Sequence, residues 1–153
     1  MRSLLVALVL AAVPSAAAAQ ISAEQRVLRE VVRVTPEGER VVSEVPADLV
    51  APGDRVVYRL SYRNEGPAPA TGLVLVMPVP EGVVLDPASP EGPGAVAYSV
   101  DGTTFGPLAA LSVATTDGPR PAAPADVRGV RWTLTAPLAP GASGEVAYKG
   151  ALR

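Results

Sequence analysis

The fold is decided by the stretch RVVYRLSYRN at residues 55–64. Side chains of an extended strand alternate between its two faces. One face therefore carries Val56, Tyr58, Leu60 and Tyr62, and the other carries Arg55, Val57, Arg59, Ser61 and Arg63. This alternation predicts a strand with one face in a hydrophobic core and one face in water.

Similar short segments, separated by Pro- and Gly-rich turns, lie on both sides of this strand. Strands are predicted at 25–34, 39–45, 73–79, 83–85, 95–100, 105–113, 130–135 and 146–152, and a Pro-rich loop at 118–126. Residues 73–79 are apolar on both faces, which predicts a central strand. Short strands at regular spacing without helical periodicity indicate an all-β protein, an immunoglobulin-like antiparallel β-sandwich of about 7–9 strands. A closed barrel is the alternative, since strand number alone does not separate the two.

Length and composition restrict the function. The chain has 153 residues, of which 48% are hydrophobic, and it has neither His nor Cys. This size fits one ordinary domain. The commonest general base, the thiolate nucleophile and the usual zinc ligands are absent, and no serine stands in the Gly-x-Ser-x-Gly pattern of a nucleophile elbow. We therefore predict that the protein is not an enzyme and uses no cofactor.

The N-terminus has the pattern of a secretory signal peptide. Arg2 precedes an apolar run at residues 4–13, and small residues follow up to Ala19. This run is about half of the ~20 residues that a membrane-spanning helix needs. Cleavage after Ala19 predicts a mature chain that starts at Gln20 and is periplasmic or extracellular. The formal net charge of −2 argues against nucleic-acid partners, and membrane insertion is not predicted.

The exported part divides into two predicted units. Residues 20–47 form an N-terminal β-hairpin extension with a turn at 35–38, and residues 48–153 form the sandwich core. Charged residues inside the hairpin strands, such as Arg33 and Glu44, are typical of a sheet edge that resists unwanted pairing.

Three blocks of the core resemble a known family. They are residues 50–66 (VAPGDRVVYRLSYRNEG), residues 70–82 with the motif PVPEG, and residues 132–144 with WTL and LAPGASG. These motifs resemble the bacterial conserved repeat domain, a family of unknown function. The resemblance implies an immunoglobulin-like module of secreted and cell-surface proteins without catalytic residues. The family typically has an acidic residue where Met77 stands, so no role is carried over to that position.

Two sets of side chains are candidates for an interaction surface. Arg55, Arg59 and Arg63 form a ridge on the wet face of their strand, and the N-terminal segment carries Val27, Val31 and Val34. A ridge of arginines suits a carboxylate- or sulfate-bearing glycan. Cross-strand pairing with Glu residues is the more ordinary interpretation. The Tyr and Trp side chains could form a sugar-stacking platform, although their alternation with polar residues places most of them in the core.

Acidic residues at turns give no clear metal site. Asp101-Gly102 predicts a structural turn resembling an Asp-box hairpin, in which the carboxylate accepts turn amides. The remaining Asp residues are scattered singly, whereas calcium needs several converging oxygen ligands. No metal site is predicted, and the sequence leaves calcium binding by loop Asp residues open.

The function predicted from these features is a secreted or envelope-associated module that acts by protein–protein contact, as a structural or adhesive accessory. Its partner is another protein or a second copy of the chain. One alternative is a self-assembling extracellular filament subunit that uses its N-terminal strand as a donor strand. Another is a carbohydrate-binding module with an extracellular glycan as ligand.

Overall fold

The computed structural model describes residues 19–153, so most of the predicted signal peptide, residues 1–18, lies outside the described part of the chain. Within residues 19–153, ten strands and two short 3₁₀ helices alternate with turns. The strands are β1 (Ile21–Val34), β2 (Arg40–Pro46), β3 (Arg55–Asn64), β4 (Val74–Pro78), β5 (Val83–Leu85), β6 (Ala95–Ser99), β7 (Ser112–Thr115), β8 (Gly118–Pro121), β9 (Gly129–Thr133) and β10 (Ser143–Leu152).

The strands form three antiparallel sheets. The largest has the order β2-β1-β3-β10-β5, the second has the order β4-β9-β6, and β7 pairs with β8 in a two-stranded ribbon. The protein is all-β, as predicted, and within residues 19–153 it has no α-helix. No sheet in this range closes on itself, so the structure does not follow the barrel alternative.

One hydrophobic core draws its side chains from both larger sheets. Trp132 of β9 and Tyr148 of β10 are fully buried in it. The Tyr148 ring stacks on Tyr58 with a centroid separation of 4.8 Å. The Tyr148 hydroxyl donates a hydrogen bond of 2.6 Å to the carbonyl of Pro78, at the end of β4. This bond ties the two sheets together, and burial raises the pKa of the Tyr148 hydroxyl far above its usual range.

The decisive strand β3 has its predicted bounds. Val56, Tyr58 and Tyr62 are buried in the core, as its alternation predicts. Val57 is the exception, because it lies on the outer face yet is fully buried. Its cross-strand neighbours are Leu28 and Lys149. Long side chains beside a small residue cover it with their aliphatic stems, so a valine can be buried on a charged face.

Residues 74–78 differ from the prediction. The apolar run around β4 predicts a central strand, but β9 is central and β4 lies at the edge of its sheet. Val74 and Val76 are about half exposed. A run that is apolar on both faces does not distinguish a strand buried on two sides from an edge strand with a solvated valine face.

The segment after β6 also differs from the prediction, and it raises the number of strands to ten. The predicted strand at 105–113 is a single bridge at Gly106, a 3₁₀ helix at Leu108–Ala110 and the start of β7. The predicted loop at 118–126 contains β8 and a second 3₁₀ helix at Pro124–Asp126. Both strands of a two-stranded ribbon are edges, so β8 accommodates prolines that an internal strand would exclude.

The N-terminal hairpin is part of the largest sheet. Residues 21–29 of β1 pair with β3, and residues 28–34 pair with β2. The predicted turn at 35–38 is present, with a hydrogen bond of 2.9 Å from the Gly38 amide to the Thr35 carbonyl. Residues 30–44 form the hairpin tip, in which β1 pairs with β2 but no longer with β3.

Candidate functional site

The candidate site is the outer face of the five-stranded sheet, which lies opposite the core. Arg55, Arg59 and Arg63 all lie on this face, as the alternation of β3 predicts. The neighbouring strands place carboxylates beside them: Glu30 on β1, Glu44 on β2 and Glu145 on β10. The face is therefore a lattice of mixed charge.

Arg59 lies at the centre of this lattice and joins three strands. Its guanidinium donates two bonds to the Glu44 carboxylate, from Nε at 3.0 Å and from Nη2 at 2.8 Å. A third bond of 2.7 Å runs from Nη1 to Glu145. These bonds lower the pKa of Glu44 and raise the pKa of Arg59. The two-pronged geometry orients the Glu44 carboxylate at the sheet edge.

Arg55, the first residue of β3, also pairs with carboxylates of two other segments. Its Nε lies 3.2 Å from Glu30, and its Nη2 lies 3.2 Å from Asp86. Glu30 also accepts a bond of 2.8 Å from Lys149 Nζ, which raises the pKa of that ammonium group. Two of the three arginines thus already have carboxylate partners, with which an anionic glycan would have to compete.

Arg63 is exposed and lies at the rim of a shallow groove. The groove has a volume of about 630 Å³ and is lined on this face by Ser22, Glu24, Ser61 and Glu145 besides Arg63. The Ser61 hydroxyl donates to Glu145 at 3.3 Å. Its open shape and mixed charge suit polar surface contacts better than enclosure of a small molecule.

The three valines proposed as an interaction surface do not share one face. Val27 and Val31 lie on the core side of β1, whereas Val34 lies on the outer side, because odd and even positions of a strand point in opposite directions. Val34 is 66% exposed, and Val31 is partly buried. The three side chains therefore belong to two different surfaces of the hairpin.

The structure adds residues that the sequence did not single out. Val32, Val41 and Val42 of the hairpin tip are about half exposed, on both of its faces. Glu30 and Lys149 complete the charge lattice. Strand register decides both groupings, and local patterns in the sequence do not reveal which strands become neighbours.

The aromatic side chains are mostly internal. Four of them are buried, as expected for residues that pack in the core: Tyr58, Tyr62, Tyr148 and Trp132. Tyr98 is partly buried, and its hydroxyl donates 2.9 Å to the Pro87 carbonyl. In the part of the chain that is described, they do not form an exposed stacking platform for sugars.

The Asp101 turn is built as predicted. The Asp101 carboxylate accepts hydrogen bonds from the Thr103 amide at 2.8 Å and from the Thr104 amide at 2.7 Å. Ser99 Oγ donates a third bond at 2.9 Å. These bonds hold the pKa of Asp101 well below its usual range. Among residues 19–153, no three acidic side chains lie close enough together to hold a metal ion.

Comparison with known proteins gives this chain no relative: no family model, no curated protein and no solved structure matches it. The resemblance to the bacterial conserved repeat domain therefore remains a prediction from the motif residues. Over residues 19–153 there is no helix of the length and apolarity that crossing a bilayer requires.

Proposed function

We propose that this chain is a non-enzymatic, exported module that acts by protein–protein contact through its hairpin tip. The observation that carries the proposal is the exposure of valines at this tip, which reaches 57% at Val42 and 66% at Val34. Exposed apolar side chains that are grouped together on a projecting element are typical of contact surfaces.

The proposed architecture behind this surface is an immunoglobulin-like sandwich. Two antiparallel sheets that share one core, together with the motifs at residues 50–66 and 132–144, support this assignment. In such a module the sandwich is a rigid carrier, and the contacts are made by what projects from it.

Site-specific photocrosslinking in the native cells tests the proposal. A photoreactive phenylalanine analogue replaces Val34 in one variant and Val74 in a second, which serves as a matched control. Val74 is 49% exposed but lies on the other sheet, which does not pair with the hairpin. We expect discrete protein adducts from the Val34 variant, identified by mass spectrometry, and none from the control. Equal labelling of both positions, or no protein adduct at Val34, would contradict the proposal.

Export is the second part of the proposal, and it rests on the sequence of residues 2–19. We expect the mature protein in the periplasm or the medium, with Gln20 or a near neighbour as its first residue. N-terminal sequencing of the purified protein decides this. Recovery of chains that still begin with Met1 from the cytoplasm would refute export.

A further inference from the structure

We propose that strand β2 pairs edge to edge with β2 of a second copy, around a twofold axis at Val42, so that two five-stranded sheets become one ten-stranded sheet. This inference rests on the proposed function and names the partner as a second copy of the chain. The open backbone edge, the order of the charges and the position of the exposed valines each support it.

The backbone of β2 is open on one side. Strand β1 is the only partner of β2 within residues 19–153. The hydrogen bonds from Thr35 N to Glu39 O, at 2.8 Å, and from Ala47 N to Val27 O, at 3.2 Å, fix the phase of the β1–β2 ladder. Antiparallel ladders alternate, so the odd-numbered residues between these bonds face β1. Arg40, Val42 and Glu44 therefore direct their N–H and C=O groups to the open edge.

The order of charges along β2 is self-complementary. When Val42 lies opposite Val42 of the second copy, Arg40 lies opposite the other copy's Glu44 at both ends of the pairing. All three positions then form hydrogen-bonded pairs, which use every open backbone group from residue 40 to residue 44. Moving the axis to Val41 or Ser43 places Arg40 and Glu44 opposite uncharged residues, so both ion pairs are lost. Moving it farther, to Arg40 or to Glu44, places two like charges opposite each other, which is unfavourable. The charges thus select one register and disfavour its neighbours.

The side chains on the outer face fit the same register. Val32 lies beside Val42 within one chain and is 50% exposed. Pairing around Val42 produces a continuous row of four valines, two from each copy, and covers apolar surface that is open to water in the single chain. Arg59 holds the neighbouring Glu44 carboxylate in place with two bonds, so its remaining lone pairs are oriented before the second copy arrives.

Charged residues at a sheet edge ordinarily prevent pairing with other strands. Here the same charges permit pairing with a strand of complementary charge order and disfavour pairing with other strands. A foreign strand without the complementary order leaves Arg40 with no carboxylate opposite it, and it gives the Glu44 carboxylate no partner besides Arg59. Pro46 has no N–H group and therefore terminates the pairing beyond Glu44. The result is a closed twofold contact and not a growing fibre, because each copy has one β2 edge.

Disulfide trapping tests the register directly, since the natural chain has no cysteine. In a hydrogen-bonded antiparallel pair the Cα atoms lie about 5.5 Å apart, which is within the range of a disulfide. We expect Val42→Cys to form a covalent dimer under mild oxidation at protein concentrations where the wild type is partly dimeric by sedimentation velocity. Val34→Cys is the matched control. Val34 lies on the same face as Val42 but on β1, one strand farther from the axis in each copy. We expect its thiol to remain reduced.

Charge reversal gives an independent readout. Arg40→Glu places Glu opposite Glu44 at both ends, and we expect the dimer dissociation constant to rise about tenfold or more. Arg33→Glu makes the same change of charge on the opposite face of the hairpin and should leave the constant unchanged. A strictly monomeric wild type, or trapping at Val42 no faster than at Val34, would overturn the inference. Oligomers that form without Val42 trapping would also overturn it and favour exchange of the N-terminal strand.

The two proposals fail in distinguishable ways. If the chain stays monomeric and the Val34 variant gives protein adducts whose mass is not that of two copies, the β2 pairing is refuted. Contact through the hairpin tip then still stands. Absence of both the adducts and the dimer would refute both. Adducts at the mass of two copies, together with Val42 trapping, would support both.

Discussion

Replacement of Trp132 by Ala tests whether the core is built as described. Trp132 is fully buried in the central strand of its sheet, with Leu75 and Val96 as its cross-strand neighbours. A large aromatic side chain buries about 150–250 Å², which at about 25 cal/mol per Å² corresponds to about 4–6 kcal/mol. Alanine retains a small part of this, and the core relaxes in part around the cavity. We therefore expect a loss of about 3–5 kcal/mol, a large share of the stability of an ordinary domain.

Urea unfolding followed by far-UV circular dichroism measures this loss without relying on the indole that is removed. Val76→Ala is the matched control, because Val76 lies on the same sheet but is 48% exposed. It should change the free energy of unfolding by about 0.5 kcal/mol or less. In the wild type, the fluorescence of Trp132, the only tryptophan, should move to longer wavelength on unfolding.

The outcome that would refute this reasoning is specific. A Trp132→Ala protein whose unfolding free energy lies within about 1 kcal/mol of the wild type would mean that the indole does not fill the core. A wild-type emission spectrum that is insensitive to unfolding would point to the same conclusion. The stacking-platform interpretation of the aromatic residues would then regain support.

Three further predictions concern the turns and the charged face. Gly94 has φ +97°, and a Cβ there would collide with the backbone carbonyl at the end of β9, whereas Gly82 has φ +86° and open space around it. Backbone strain alone makes Gly82→Ala cost about 1–2 kcal/mol. Thermal melts should therefore show that Gly94→Ala is clearly more destabilising than Gly82→Ala. Asp101→Ala removes the acceptor of two turn amides and should cost about 1–2 kcal/mol in urea unfolding, while Asp101→Asn should cost less. The bonds from Arg59 lower the pKa of Glu44 in the folded state, so their stabilising effect is complete above the unfolded pKa of about 4.3 and is lost as the pH falls through the lower folded value. Urea midpoints measured from neutral to acidic pH should therefore fall less steeply in Arg59→Met than in the wild type, and an unchanged slope would contradict this assignment.

The sequence predicts this fold best where a local pattern determines the structure. The bounds of β3, the hairpin turn at 35–38 and the Asp101 turn follow from alternation and from turn chemistry, both of which act over a few residues. The edge position of β4 and the burial of Val57 depend on which strands become neighbours, and nothing within the strands themselves encodes that.

The same distinction holds for the candidate site. Alternation places Arg55, Arg59 and Arg63 on one face, but their partners come from strands far away in the chain. Glu145 is 86 residues from Arg59. The separation of Val27 and Val31 from Val34 is already visible in the sequence, because odd and even positions of one strand lie on opposite faces.

The direction of the strands has a mechanical consequence. β1 and β10 flank β3, both antiparallel to it, and Ile21 lies beside Asn64 whereas Ala151 lies beside Arg55. A tension applied between Ile21 and Leu152 therefore acts along the strands and loads the two ladders of β3 in shear. Many hydrogen bonds must then yield together, whereas a perpendicular pull would open them one after another. If the domain were anchored at these two points, its resistance to extension would depend on the rate of forced unfolding. That rate is set by the unfolding barrier and not by the equilibrium stability.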